Sequence, residues 1–343
     1  MPSSYNGKIL HVDLTERRWW SEELEELIYR KYLGGSALSS YFMLRDIKPG
    51  IDPLGPDNLL MFMTSVINGL PLSGANRYSA AGKSPLTGGF GEAEAGGYWG
   101  PELKRTGFDG IIVHGRADKP VYLVVHDNEC EFRDASKYWG QLSGEVQDGL
   151  QDELGDNRIR VLQTGVAGEN KVLYAAIVNE LRHYHGRAGL GAVMGSKNLK
   201  AIVTRGKERV GPDNRDGALG VAQWFRDHYD KESDGMHLHG TAGGIMGLDA
   251  DGILPTRNFR DGSFEHAKAI AGTTMSDTIL VNRGTCFSCL VACKREVEVP
   301  ERGVIPKYGG MEYEIIGALG SVCGVGDMGA VAEASQWVNR YVM

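Results

Sequence analysis

Cys286, Cys289 and Cys293 fall within eight residues of one another, in the run T-C-F-S-C-L-V-A-C-K-R, and make up three of only five cysteines in 343 residues. The spacing C-x2-C-x3-C is how a chain folds around an iron–sulfur cube, because each short loop carries the next thiolate to a neighbouring iron. Electron transfer is therefore the first chemistry the sequence suggests. Two plainer readings compete. Spacings of three and four put the sulfurs on one face of a helix, where cysteine is a small buried hydrophobe, although buried structural cysteines have no reason to bunch. A zinc site would want a fourth Cys or His nearby, and none follows in the next twenty residues. A cubane also wants a fourth ligand. Cys130, in D-N-E-C-E-F-R, reads as structural, and Cys323, in G-S-V-C-G-V-G-D, is a conceivable ligand. The radical-type spacing C-x3-C-x2-C does not occur.

Three further runs carry candidate chemistry. In N-R-Y-S-A-A-G-K-S-P-L-T-G-G-F-G, residues 76–91, read as a loop, Arg77 offers a planar fork suited to phosphate or cluster sulfide and Lys83 a point charge; the plain alternative is solvated surface charge. The run 182–203, R-H-Y-H-G-R-A-G-L-G-A-V-M-G-S-K-N-L-K-A-I-V, passes from a loop through a helix at 188–195 into a strand. It is neither G-x-G-x-x-G nor a P-loop, and it precedes its strand, so conventional dinucleotide or ATP binding is disfavoured. His183 and His185 are candidate metal ligands, as are His237 and His239, but histidines spaced this way are more often loop hydrogen-bonders. In G-G-M-E-Y-E-I-I-G-A-L-G, Glu312 and Glu314 open an apolar helix. Acidic residues there complement the helix dipole; the functional alternative is a desolvated carboxylate that accepts or donates a proton.

Glycine is the compositional outlier, at 48 residues against a usual share of about 7%. Its clusters let backbone approach closely or adopt positive φ, and such loops hold phosphates on their N–H groups; tight turns in a strand-rich domain are the alternative. Net charge is −7, which argues against nucleic acid as a partner. The first residues lack a charged leader before an apolar core, and no run approaches eighteen apolar residues, so no membrane and a cytoplasmic location are expected. An odd cysteine count with metal-like spacing suits a reducing compartment.

These candidates must be positioned by a mixed α+β chain. Strands are expected at 8–14, 58–66, 110–114, 121–126, 160–165, 172–178 and 199–205, and helices at 23–32, 37–46, 98–106 and 144–153. After K-E-R-V-G-P-D-N-R-D the character turns helical, at 218–229, 311–323 and 328–342. The expected division is a β-rich domain over 1–210 and the start of a mainly helical domain over 211–343. The last helix, with no stop signal before Met343, reads either as a chain cut inside an element or as a natural C-terminal helix.

Taken together and in order, Y-N-G-K-I-L-H-V-D-L-T, Y-L-G-G-S-A-L, G-K-S-P-L-T-G-G, G-R-A-G-L-G-A-V-M-G-S-K-N-L-K-A-I, G-I-L-P-T-R-N-F and C-F-S-C-L-V-A-C-K-R resemble the aldehyde:ferredoxin oxidoreductase family of tungsten-pterin enzymes, across essentially the whole chain. The resemblance implies a first domain of two packed sheets that forms the base for tungsten held by two pterin dithiolenes. It also implies magnesium bridging the pterin phosphates and a 4Fe-4S cluster that relays electrons to ferredoxin. Cys286, Cys289 and Cys293 match the three local cluster ligands, and Arg77 the arginine between pterin and cluster. Gly96, Gly97, Tyr184, His185, Gly186 and Arg187 fall where the family wraps the pterin phosphates and magnesium. Glu312 matches the glutamate facing tungsten, with Glu314 as the alternative.

Departures accompany the match. An asparagine commonly precedes the paired glycines to help hold magnesium; here the segment is E-A-E-A-G-G, and the alternatives are substitution by Glu94 or a different magnesium contact. H-Y-H-G-R stands where many members have R-A-A-G-R. Members are nearly twice as long, and carry D-x-x-G motifs, the fourth cluster cysteine and an active-site histidine beyond the point where this chain stops. The implied activity is oxidation of a small aldehyde to a carboxylic acid with electrons passed to ferredoxin. The alternatives are a related reductase of the aryl-CoA ring-reducing type or a truncated, non-catalytic cofactor-binding fragment. The assemblies considered are a homodimer and a partner subunit that supplies the missing half. The sequence leaves tungsten against molybdenum open, because pterin sulfurs hold the metal.

Overall fold

A computed structural model describes residues 4–208 and 211–343. The domain boundary expected at 210 lies outside the described residues. By internal contacts the chain divides into two compact units: residues 1–223 with Cys286–Ser288 and Tyr341–Met343, and Trp224–Thr285 with Cys289–Arg340.

The first unit holds strands β1 (Lys8–Asp13), β2 (Arg18–Glu23), β3 (Leu60–Met63), β4 (Tyr78–Lys83), β5 (Phe90–Ala95), β6 (Gly110–His114), β7 (Val121–His126), β8 (Glu129–Asp134), β9 (Arg160–Thr164), β10 (Ile177–Asn179), β11 (His183–His185) and β12 (Leu199–Thr204). Its helices are α1 (Glu26–Tyr32), α2 (Gly35–Asp46), α3 (Trp99–Arg105), α4 (Ser143–Leu154), α5 (Val166–Glu169) and α6 (Leu190–Ser196), and α7 (Arg215–His228) begins in it. The strands form two six-stranded sheets, ordered β2-β1-β6-β3-β4-β5 and β11-β10-β9-β12-β7-β8. Each has one parallel pair, β1 with β6 and β12 with β7. Leu10, Leu60, Phe62, Tyr78 and Ile111 of the first sheet share one buried cluster with Leu123, Leu162, Ile177 and Ile202 of the second, so the sheets pack face to face around a common core. Trp99, fully buried, stacks on Tyr78 at 5.0 Å and donates Nε1–H to the Ile202 carbonyl at 3.1 Å.

The second unit is mainly helical. It completes α7 and adds α8 (Gly235–His239), α9 (Ile245–Ala250), α10 (Gly272–Thr278), α11 (Tyr313–Ile316) and α12 (Met328–Tyr341, its last residue counted with the first unit), with a small antiparallel pair, β13 (Leu280–Gly284) and β14 (Lys294–Val297). Ile245, Leu254, Phe264, Met275, Val297, Ile316 and Val331 form its core. No helix among the described residues is long and apolar enough to cross a membrane.

Several expectations shift. Residues 76–91 are a hairpin, not a loop: β4 pairs with β5 from Tyr78 against Ala95 to Lys83 against Phe90. Within β4 position 82 admits only glycine, because a Cβ there would sit 2.5 Å from the Leu59 carbonyl oxygen. Cys130 belongs to β8 and is buried in the core. The strand expected at 172–178 shrinks to β10, and Glu23 closes β2 before α1. The helix expected at 311–323 stops at Ile316 and continues as a π turn through Gly317–Ser321, where two glycines loosen the ladder. The last helix ends at Tyr341, where Val342 turns left-handed (φ 57°), and its carbonyl accepts from Ala176 N at 3.1 Å.

The glycines of G-L-G-A-V-M-G serve packing. A Cβ on Gly195 would fall 2.0 Å from the Gly168 carbonyl oxygen, and one on Gly191 2.0 Å from that of Ala176, so α6 lies against backbone that admits no methyl group. Gly220, exposed in α7, meets nothing within 4 Å. Gly220→Ala should stabilise the protein by about 0.5–1 kcal/mol through lower unfolded-state entropy. Gly195→Ala should destabilise it by about 1–3 kcal/mol through overpacking. Urea midpoints of the two variants test this, and equal signs would contradict it.

Candidate functional site

The candidate residues of the first unit gather where β5 ends and the β10–β11 hairpin turns. Gly96 and Gly97 follow β5 and lead into α3; Gly97 is left-handed at φ 95°. Asn179, closing β10, donates Nδ2–H to the Tyr78 hydroxyl at 2.7 Å and to the Gly96 carbonyl at 3.3 Å. Glu180 Oε2 accepts from Tyr98 N at 3.0 Å. A Cβ on Gly97 would fall 2.3 Å from Asn179 Oδ1 and 2.4 Å from Glu180 Oε2, which is why only glycine fits there.

The hairpin turn is strained. Glu180 and Leu181 are both left-handed, at φ 48° and 61°, a conformation costing roughly 1–2 kcal/mol per non-glycine residue. Burial of Leu181 and the Glu180 bond to Tyr98 N offset it. Asn179 Oδ1 and Glu180 Oε1 are buried with no partner among the described groups. Burial pushes the Glu180 carboxyl up to about 7, against the Tyr98 N–H that favours its charged form.

Cys286 enters this place as part of the first unit. A Cβ on Gly96 would lie 2.7 Å from its Sγ, and His183 Nδ1 stands 4.0 Å from that sulfur. The segment is pinned by backbone: Phe287 N donates to the Gly97 carbonyl at 3.2 Å, and Asn76 Nδ2 to the Phe287 carbonyl at 3.2 Å. The Phe287 ring lies edge-on to Tyr98, with the Arg105 guanidinium 5.3 Å from its centre.

The other candidates of this unit divide. Arg77, one residue before β4, pairs with Glu94 of β5, Nε to Oε2 at 3.1 Å, beside the glycines. Lys83 is at the opposite end of β4, where Nζ donates to the Ile51 carbonyl at 2.6 Å, so the strand separates it from Arg77. Tyr184 donates its hydroxyl to the Leu181 carbonyl at 2.9 Å and tightens the hairpin. The His185 ring faces the core, edge-on to Tyr78 and Phe62. Its Nδ1–H bonds the Ala93 carbonyl at 2.8 Å, and burial pulls it down to about 4, so it is neutral. Gly186 and Arg187 are exposed just beyond β11.

In the second unit, Cys289 and Cys293 are half-buried and free of disulfides. Burial, first of several causes, raises the Cys293 thiol. Their run is clamped by buried Arg295, which donates to the carbonyls of His237 (2.9 Å), Leu238 (2.8 Å) and Ala292 (2.7 Å), and by His237 Nδ1, bonded to the Val291 carbonyl at 2.8 Å. His239 Nδ1 meets Ser276 Oγ at 3.0 Å. Glu312 forms an ion pair with Lys294, the residue after Cys293, and is the N-cap of α11, whereas Glu314 in its first turn is exposed. Cys323 is exposed, with Sγ 3.2 Å from the Ala318 carbonyl oxygen. Among the described residues no three His, Cys, Asp or Glu side chains converge as a single metal ion would need.

The described patterns of two domains match this chain: "Aldehyde ferredoxin oxidoreductase, N-terminal domain" over residues 9–206 and "Aldehyde ferredoxin oxidoreductase, domains 2 & 3" over 220–343. The chain belongs to the aldehyde ferredoxin oxidoreductase family. The tungsten-containing aldehyde ferredoxin oxidoreductase of Pyrococcus abyssi is 40% identical over 342 residues, which is 99% of this chain and 56% of that protein. The aliphatic sulfonate oxidoreductase WOR-like subunit of Pyrococcus furiosus is 38% identical over 221 residues, 59% of this chain and 35% of that one. Among solved structures, the active-site complex BamBC of benzoyl coenzyme A reductase with 1,5-dienoyl-CoA superposes with a TM-score of 0.84 at 26% identity, covering all of this chain and 54% of that one. The chain thus spans about half the length of the family members it matches.

Nothing in the sequence marks Asn179 or Glu180, since N-E-L between two short strands is ordinary turn composition. Only the close approach of Gly97 marks them. With its folded carboxyl above the usual range of about 4.3, Glu180 binds a proton in the folded state that it lacks when unfolded, so it lowers stability as pH rises from about 4 to about 7. Glu180→Gln lacks that loss and should gain on the wild type in urea midpoint between pH 5 and pH 8; an equal difference at both pH values would contradict this.

Proposed function

We propose that this chain supplies the pterin-binding base and three of the cluster cysteines of a tungsten-pterin oxidoreductase that oxidises an aldehyde to a carboxylic acid and passes the electrons through a 4Fe-4S cluster to ferredoxin. The observation that carries the reading is the seating of Cys286 against Gly96, which puts one sulfur of the iron–sulfur spacing directly on the paired glycines.

The residues suit the groups. The cysteines form no disulfide among the described residues, and the turn at Gly97 has no room for a side chain, while two buried oxygens beside it, on Asn179 and Glu180, have no hydrogen-bond partner among the described groups. When bound, the pterin-held metal would accept the electron pair of oxygen transfer and the cluster would pass electrons on singly. Gly96, Gly97, Gly186 and Arg187 would take the pterin phosphates and their magnesium, with the contribution of Tyr184 and His185 coming from their backbone. Arg77, held by Glu94, would keep its positive fork beside the glycines. Glu312 would manage the proton of the reaction, and a proton reaching it must displace Lys294. Glu314 and Lys83 fit less well, the first because it is exposed and the second because it is tied to Ile51 at the far end of its strand. A homodimer or a second subunit completes the proposal.

The likeness to the benzoyl coenzyme A reductase complex favours one second reading, reduction of an aryl-CoA thioester. Protein purified without air should contain tungsten and about four irons per chain, and should reduce a viologen dye with aldehydes. Turnover with an aryl-CoA thioester alone would select the second reading, and zinc as the sole metal would end both. At unchanged metal content Glu312→Gln should lower kcat by about 10²–10⁴-fold, a loss that full activity in the variant would disprove.

A further inference from the structure

His183 has no role in the reading above, yet it stands beside the sulfur on which that reading turns. Its ring is buried and abuts the two glycines. A Cβ on Gly96 would fall 3.8 Å from its Nδ1, and one on Gly97 2.9 Å from its Cδ2. The Nδ1 edge therefore faces Gly96 and the Cys286 sulfur, 4.0 Å away. The same Gly96 position lies 2.7 Å from Sγ, so the missing side chain leaves the sulfur and the ring nitrogen facing each other. The backbone behind the ring is held as well: His183 pairs with Asn179 across the hairpin, and Asn179 bonds the Gly96 carbonyl.

Chemistry fixes the direction of the contact. A cluster-bound cysteine sulfur carries no proton and can only accept, so the donor must be the histidine N–H. Hydrogen bonds to cluster sulfurs offset the negative charge that reduction adds and so favour the reduced form.

We propose that His183 donates a hydrogen bond from Nδ1 to the cluster-bound sulfur of Cys286 and thereby raises the reduction potential of the cluster. The residue tunes the group through its ligand and does not itself react. The inference rests on the reading that Cys286 ligates an iron–sulfur cluster.

EPR-monitored redox titration of the anaerobically purified holoprotein tests it. In His183→Phe the midpoint should move to more negative potential at unchanged iron content, and His183→Gln, whose side-chain amide restores an N–H, should recover part of the shift. An unchanged midpoint in His183→Phe overturns the inference and leaves the proposed function standing. A second measurement needs no variant: in wild-type protein grown with 15N-histidine, pulsed EPR of the reduced cluster should show coupling to a histidine nitrogen, and its absence overturns the inference even if His183→Phe fails to fold. Wild-type protein that yields no cluster signal overturns this inference and the proposed function together.

Discussion

A sulfur can stand beside Gly96 only because residue 96 has no side chain, and much of the surrounding architecture serves to keep that close approach in register. The Gly97 carbonyl takes the N–H of Phe287, and the Gly96 carbonyl takes the amide of Asn179. Asn179 in turn holds the Tyr78 hydroxyl, Tyr78 stacks on Trp99, and the Trp99 indole bonds Ile202. Five contacts thus lead from the cysteine segment to the middle of the second sheet. Every side chain in that path is buried, where packing density leaves little freedom to shift. A loop seated on such a chain inherits the rigidity of the core between the two sheets.

The same place concentrates features that do not favour folding. Two consecutive non-glycine residues are left-handed, and buried oxygens of Asn179 and Glu180 lack partners among the described groups. An unsatisfied buried polar atom costs about 1–3 kcal/mol, and strain of this kind persists only where surrounding structure over-determines it. Here the surroundings are Leu181 in the core and the Tyr98 N–H on the Glu180 carboxylate. The combination is what a preorganised binding site requires, with polar atoms held away from water by packing before a ligand arrives.

Much of this was legible in the sequence, and what was not has physical causes. β6 and β7 are runs of β-branched and aromatic residues between turn signals, and their bounds agree with the expectation. The β4–β5 hairpin was not legible, because Ser79, Ala80, Ala81 and Gly82 carry no alternation to read; Leu59 backbone leaves no room for a side chain at Gly82, and Ala80 lies in the core between the sheets. The spacing of Cys286, Cys289 and Cys293 pointed to a metal-binding run, but nothing local announced that Cys286 would meet Gly96, 190 residues away. The glycine clusters were legible as close approach and ambiguous as to what approaches. At Gly191 and Gly195 it is the chain's own backbone; at Gly97 it is a pair of polar side chains.

That distinction bears on how far the family carries toward a reaction. Gly96, Gly97 and the Cys286 segment build a cradle, and a cradle for a cofactor serves whichever substrate the rest of a site admits. Relatives named for an aldehyde, a sulfonate and an aryl-CoA thioester are what such a division would produce. The first unit packs its candidate residues from strand ends and a strained hairpin. In the proposed function, the residues described here would govern how firmly a cofactor is held and at what potential its electrons leave, and choice of substrate would fall to groups outside this cradle.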